Sequence, residues 1–269
     1  MNNAAIGVFD SGVGGLTVVK ELAALMPREK IIYFGDTARA PYGSRPPEEI
    51  REFMHEILHF FSQQKVKMAV CACNTMTALG LEEARHKYPF QLVGMNTGAR
   101  SALAASRNNK IGVVATQAAI ASGKHENSMK ALDETVDFYP VACPKFVPLI
   151  EQGLLCGSEL EEAVREYVTP LSQAGVDALI LGCTHYPLIS NAILKVMGPG
   201  VTLINPAGET ARDAVDALKK NCLAAASGKG AVRIGFSADS FTARTFVASI
   251  LENKNCEFFQ ADMQEYAKC

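Results

Sequence analysis

Residues 5–15, AIGVFDSGVGG, return in altered wording at 110–123 as KIGVVATQAAIASG, with Ile111 standing 105 positions after Ile6. The next strand-like stretch, IIYFGDTARAPYG at 31–43, is echoed at the same offset by VDFYPVACPKFVPLIE at 136–151. A third pair follows: MAVCACNTMTA at 68–78 and ALILGCTHYPL at 178–188, with Cys183 standing 110 positions after Cys73. Three echoes in one order indicate an internal duplication in which each copy is one α/β unit.

Between the echoes, short apolar runs alternate with helical patterns. Ile6 to Phe9, Ile31 to Phe34, Met68 to Ala72 and Leu92-Val93 read as strands. Leu16, Val19, Leu22 and Met26 recur at helical spacing, and 48–64 is a helix with Ile50, Phe53, Met54, Ile57, Leu58 and Phe61 on one face. This alternation predicts an α/β fold of two pseudo-symmetric, mostly parallel lobes with crossover helices. After Asn205-Pro206, a helix from about 209 to 224, a strand at Val232 to Phe236 and a closing helix make a tail too short for a third copy. The expected division is a first lobe of 1–97 plus 207–269 and a second of 98–206.

Composition narrows the function classes. Lysine plus arginine number 26 against 28 acidic residues, and this balance excludes the basic excess of a general nucleic-acid or anionic-membrane binder. No apolar run approaches a membrane span, and the first residues carry no basic-then-apolar leader. The eight cysteines form no CxxC pairs, so free thiols in a reducing cytoplasm, most of them buried, are expected.

Two of those thiols stand apart. Cys73 and Cys183 occupy equivalent places at the carboxyl ends of strands, where parallel sheets present their ligand sites, so two facing lobes would set them on opposite sides of one cleft. Cys71, two residues earlier, reads as core. Cys183-Thr184-His185 crowds a thiol, a hydroxyl and an imidazole together, and Asp10 accompanies the duplicate; this is the company of tuned thiol chemistry.

Two other motifs are given plainer readings. Gly12-Val13-Gly14-Gly15 lacks the further glycine of a dinucleotide fingerprint, since position 17 is Thr17; it reads as a helix N-terminus whose N–H groups hold a small anion. His55-Glu56-Ile57-Leu58-His59 fits H-E-x-x-H, but it lies on a crossover helix with no third ligand in view. It is read as a solvated face, and no metal site is expected.

FDSGVGGLTV, GDTARAPYGSR, ACNT and LGCTHYPL, in this order, resemble the glutamate racemases of the cofactor-independent aspartate/glutamate racemase family. The resemblance runs from residue 6 to about 213. It implies two flavodoxin-like lobes and inversion of glutamate at the α-carbon without a cofactor, supplying D-glutamate for bacterial peptidoglycan. It implies Cys73 as the base acting on D-glutamate and Cys183 on L-glutamate, with Asp10 assisting the first. His185, steadied by Glu151, would assist the second. Asp10, Ser11, Tyr42, Gly43, Asn74, Thr75, Thr116, Thr184 and His185 would hold the substrate. The partners implied are a small-molecule substrate, neither nucleic acid nor membrane, and, as in many family members, a second copy in a homodimer. With only five residues before the first strand, activation by a peptidoglycan precursor through an N-terminal extension is not expected. A racemase of aspartate or another amino acid is the nearest rival. A two-lobed binding module is a second, but it leaves the paired thiols without a purpose.

Overall fold

The computed structural model describes residues 3–238, 241–252 and 256–266, and at Gln264 the backbone alone. From the N-terminus come β1 (Ile6–Asp10), α1 (Leu16–Leu25), β2 (Lys30–Gly35), α2 (Pro47–Gln63), β3 (Met68–Cys71), α3 (Asn74–Leu79), α4 (Leu81–Ala84) and β4 (Gln91–Gly94). Next are α5 (Ala99–Ala105), β5 (Lys110–Ala115), α6 (Gln117–Ala121), α7 (Lys124–Lys130), β6 (Asp137–Ala142), α8 (Phe146–Glu151), α9 (Ser158–Ala174), β7 (Ala178–Gly182), α10 (Ser190–Met197) and β8 (Thr202–Ile204). The chain closes with α11 (Ala207–Lys220), β9 (Ala231–Phe236), α12 (Phe241–Leu251), β10 (Cys256–Gln260) and a 3-10 turn at Met263–Tyr266.

Two compact units emerge: Met1–Asn96 with Ala207–Cys269, and Thr97–Pro206. The first holds a six-stranded sheet in the order β10-β9-β2-β1-β3-β4, the second a four-stranded sheet in the order β6-β5-β7-β8. Every pairing among the described residues is parallel. The order β2-β1-β3-β4 is therefore repeated as β6-β5-β7-β8, and the register repeats with it. Ile6 faces Met68, five residues before Cys73, and Ile111 faces Ala178, five before Cys183.

The central strands β1, β3 and β7 are buried along their whole length. Helices cover both faces of such sheets, which explains the near-continuous apolar wording IGVF, MAVC and ALIL. Helix α2 buries Ile50, Met54, Ile57, Leu58, Phe60 and Phe61, and the Phe61 ring sits 5.9 Å from Phe9. Phe60 thus takes the inward place expected of Phe53. Phe53 is half-buried, with the Arg39 guanidinium 3.8 Å above its ring.

The tail departs from expectation in two respects. A second strand, β10, follows α12 and pairs with β9, so two strands rather than one extend the first sheet beyond β2. Its alternation is masked because it forms the half-exposed sheet edge. The first of the tail helices spans Ala207–Lys220, ending before the expected 224. Of the seven described cysteines, all free, Cys71, Cys73, Cys143 and Cys183 are buried, Cys156 and Cys222 exposed and Cys256 between; Cys269 lies outside the described residues.

Candidate active site

In the first unit, the sequence places Asp10 at the carboxyl end of β1, where the chain must turn sharply into α1. The Asp10 carboxylate accepts the Ser11 N–H at 2.8 Å through Oδ1 and the Gly15 N–H at 2.6 Å through Oδ2. An internal carboxylate therefore engages the helix-start N–H of Gly15, which corrects the expectation that an outside anion would find the turn's N–H groups free. Tyr33 braces the turn from below, its hydroxyl donating to the Gly12 carbonyl at 2.5 Å.

Cys73 follows β3, caps the start of α3 and is 5% exposed. Its Sγ lies 3.9 Å from Ser11 Oγ. Asn74 and Thr75, the first residues of α3, are both buried. Cys71 is wholly buried and directs its thiol at the Cys73 carbonyl, 3.6 Å away, as a core residue would.

The loop after β2 supplies a network the sequence reading did not single out. Tyr42 donates its hydroxyl to Asp36 Oδ2, and the same oxygen accepts Arg39 Nε–H at 2.6 Å. Arg39 reaches on to Glu56 of α2. Burial, then the Asp36 carboxylate, pushes the Tyr42 phenol well above its ordinary value, and Cys73 is near enough to contribute. Three buried polar atoms of this region have no hydrogen-bond partner among the described residues: Asp36 Oδ1, Arg39 Nη2 and Asn74 Nδ2. Buried polar groups are nearly always satisfied, so these three atoms are available to water or to a polar ligand. Gly43, beside Tyr42, is half-buried. The aspartate could have been suspected from its position just past an apolar strand; nothing in the spacing shows Tyr42 turning back onto it.

The second unit repeats the plan with different chemistry. Ala115 of β5 faces Gly182 of β7, so Thr116 and Cys183 are the next residues on adjacent strands. Thr116 caps α6, its hydroxyl accepting the Ala119 N–H at 3.3 Å. Cys183, Thr184 and His185 are all buried. His185 Nδ1 lies 3.7 Å from Cys183 Sγ, and its Nε2 lies 2.6 Å from Glu151 Oε1 at the end of α8. Burial pushes the imidazole down, but its contacts with Cys183 and Glu151 outweigh this and hold it well above the usual histidine value. Beneath it, the buried Tyr186 hydroxyl donates to the Cys143 carbonyl at 3.2 Å. Burial pushes the Cys143 thiol far up, leaving it a neutral core group.

The family described as Asp/Glu/Hydantoin racemase matches residues 6–214. The chain belongs to this family. Among curated relatives of the racemase, a glutamate racemase of Thermoanaerobacter pseudethanolicus is 40% identical over 266 residues, covering 99% of this chain and 100% of its own. A glutamate racemase of Exiguobacterium sibiricum is 45% identical over 224 residues, 83% of each chain. The crystal structure of glutamate racemase from Francisella tularensis in complex with D-glutamate matches with a TM-score of 0.88 at 31% identity, covering 99% of this chain and 100% of that one. Both thiols, with Asp10, Glu151 and His185, fall inside the segment that the racemase family spans.

Proposed function

We propose that this racemase interconverts L- and D-glutamate without a cofactor, using Cys73 and Cys183 as two bases. The observation that carries the reading is the repeated register: the two thiols stand at equivalent strand ends of the two units, five residues beyond equivalent pairings. Inversion requires one base for each face of the α-carbon. One thiolate breaks the Cα–H bond and takes the proton, the electron pair stays on the α-carbon next to the carboxylate, and the other thiol delivers its proton to the opposite face. General acid–base help of this kind contributes roughly 10²–10⁴-fold.

Each thiol has its own company. Cys183 has His185, which the Glu151 carboxylate orients and whose cationic form favours a thiolate. Cys73 has Ser11 beside it and the Asp10-held turn behind it. Asp10 assists mainly by fixing that turn. The unpartnered Asn74 amide suits a substrate carboxylate, and Ser11, Tyr42, Gly43, Thr75, Thr116, Thr184 and His185 complete the binding groups. Glutamate as substrate rests on the relatives named above, and D-glutamate would serve cytoplasmic assembly of peptidoglycan. No helix among the described residues is long and apolar enough to cross a membrane, which is consistent with that location.

The test is inversion in heavy water. Early D-glutamate formed from L-glutamate should carry deuterium at the α-carbon, while unreacted L-glutamate stays protonated. Cys73→Ala and Cys183→Ala should each abolish racemisation in a folded protein, and Cys71→Ala should keep most of it. Product retaining its original α-proton, normal turnover in either of the first two variants, or aspartate turned over as fast as glutamate would overturn the assignment.

A further inference from the structure

Tyr42, one of the groups assigned to the substrate, stands between β2 and α2 on residues 36–46, which form neither helix nor strand. A loop that carries a binding group works only if a rigid element positions it. Here that element is α2.

Phe53 of α2 offers one ring to three loop side chains. The Arg39 guanidinium lies 3.8 Å from the ring centroid and the Arg45 guanidinium 5.4 Å from it. The Tyr42 ring packs on Phe53 with centroids 5.4 Å apart, tilted by 52°. A guanidinium combines a charge with a flat face, so it stacks well on an aromatic ring. The half-buried place of Phe53, turned to the loop instead of the core, has this purpose.

Glu56 lies three residues further on, on the same side of the helix. Its Oε2 accepts from Arg39 Nη1, while Arg39 Nε–H reaches Asp36 Oδ2 at 2.6 Å. That Asp36 oxygen also accepts the Tyr42 hydroxyl, which completes a chain Glu56–Arg39–Asp36–Tyr42. Asp36 is 0% exposed, and a buried carboxylate needs a cation in contact. The rigid fork of Arg39 meets that need and fixes the direction of the pair, as a flexible ammonium could not. Arg45 fastens the far end of the loop, donating to the Arg39 carbonyl at 3.0 Å and pairing with Glu49 at 2.7 Å. The H-E-x-x-H stretch is therefore no bare solvated face: Arg39 engages its glutamate, and His55 and His59 pack beside the rings of Tyr88 and Tyr266.

We propose that Phe53, Arg39 and Glu56 are positioning residues of this racemase: they hold Tyr42 ready for the substrate and so set KM for glutamate without touching it. The inference rests on the reading of Tyr42 as a group that holds glutamate.

The experiment measures kcat and KM for racemisation of L-glutamate by full-length variants whose melting curves show them folded. Tyr42→Phe cuts the link to Asp36 and should raise KM about tenfold. Arg39→Lys, which keeps the charge and loses the fork, and Glu56→Ala should each raise KM roughly five- to tenfold, with kcat changed less than about twofold. Glu56→Gln keeps an acceptor for Arg39 and should stay within about twofold of wild type. In a Tyr42→Phe background, Arg39→Lys and Glu56→Ala should add nothing to KM, whereas a merely structural role would keep its separate effect. Phe53→Leu, with the same expected rise in KM, serves if Arg39→Lys does not fold. Unchanged KM in Arg39→Lys or Glu56→Ala, or full additivity with Tyr42→Phe, would overturn the inference and leave Tyr42 at the site. Unchanged KM in Tyr42→Phe would remove Tyr42 from the site and the inference with it.

Discussion

Glu151 Oε1 lies 2.6 Å from His185 Nε2, on the far side of the ring from Cys183. The carboxylate touches neither thiol through this contact, so its effect passes through the imidazole. Glu151→Gln should lower kcat by roughly 10²-fold, within the range of acid–base assistance, with a smaller change in KM. The stability signature has a definite sign. A histidine whose folded pKa is raised contributes fully below about 6.5 and loses that contribution as pH rises through the folded value. The stability gap between wild type and Glu151→Gln should therefore be widest just below pH 6.5 and shrink on the alkaline side. Urea midpoints across pH check this.

His125 behaves in the opposite way. Neither ring nitrogen has a partner among the described residues, and burial pushes its pKa down to about 4. The unfolded chain binds the extra proton between about pH 6.5 and 4, so stability should fall by ~3 kcal/mol as pH drops through that window. His125→Phe should flatten this part of the profile. Denaturant midpoints at pH 5 and 7, compared with wild type, give the answer.

The brace under the Asp10 turn is tight. A Cβ on Gly35 would stand 2.3 Å from the Gly12 carbonyl oxygen, the atom that Tyr33 holds. Tyr33→Phe leaves that carbonyl unpaired at a cost of about 1–3 kcal/mol. Gly35→Ala must push the turn itself, so it should reduce racemisation more than Tyr33→Phe does. Melting temperature and turnover, measured side by side, separate the two effects.

Lys67 and Glu29 form an ion pair at 2.6 Å with both side chains essentially buried, and Glu29 also accepts the Ala225 N–H at 2.7 Å. Removing one partner strands a buried charge, so Lys67→Met should cost ~3–5 kcal/mol. Adding Glu29→Leu should recover part of that loss. A double-mutant cycle from urea unfolding measures the recovery.

Much of this was readable in one dimension because parallel sheets bury their strands on both faces. IGVF, MAVC and ALIL had to be apolar throughout, and the residues proposed for the chemistry lie just past their ends. The repeat was legible for the same reason: Cys73 and Cys183 keep their 110-residue separation in the observed register. What escaped depends on chain geometry rather than on composition. Asp10 looked like a companion of a ligand-binding turn, and only the backbone path shows its carboxylate turned onto Gly15. Asp36 lies within a quoted motif, but its link to Tyr42 requires the loop to fold back. The strand Cys256–Gln260 was missed because an exposed edge relaxes the alternation that reveals inner strands. His55 and His59 were assigned to solvent because Tyr88 and Tyr266, which wall them in, are distant in sequence.

The position of β9 dictates an order of events during synthesis. Its neighbour β2 is made early, yet the hydrogen bond from Thr37 to Ala238 joins residues 201 positions apart. Until residues 231–236 leave the ribosome, β2 offers a bare apolar edge, the kind of surface that recruits wrong partners. Residues 97–206, by contrast, form an uninterrupted segment with a sheet of its own. The interior segment of the nascent chain is thus able to close first, while the N-terminal strands wait for the tail, and a truncation before β9 would leave an aggregation-prone edge where the native sheet has a seam.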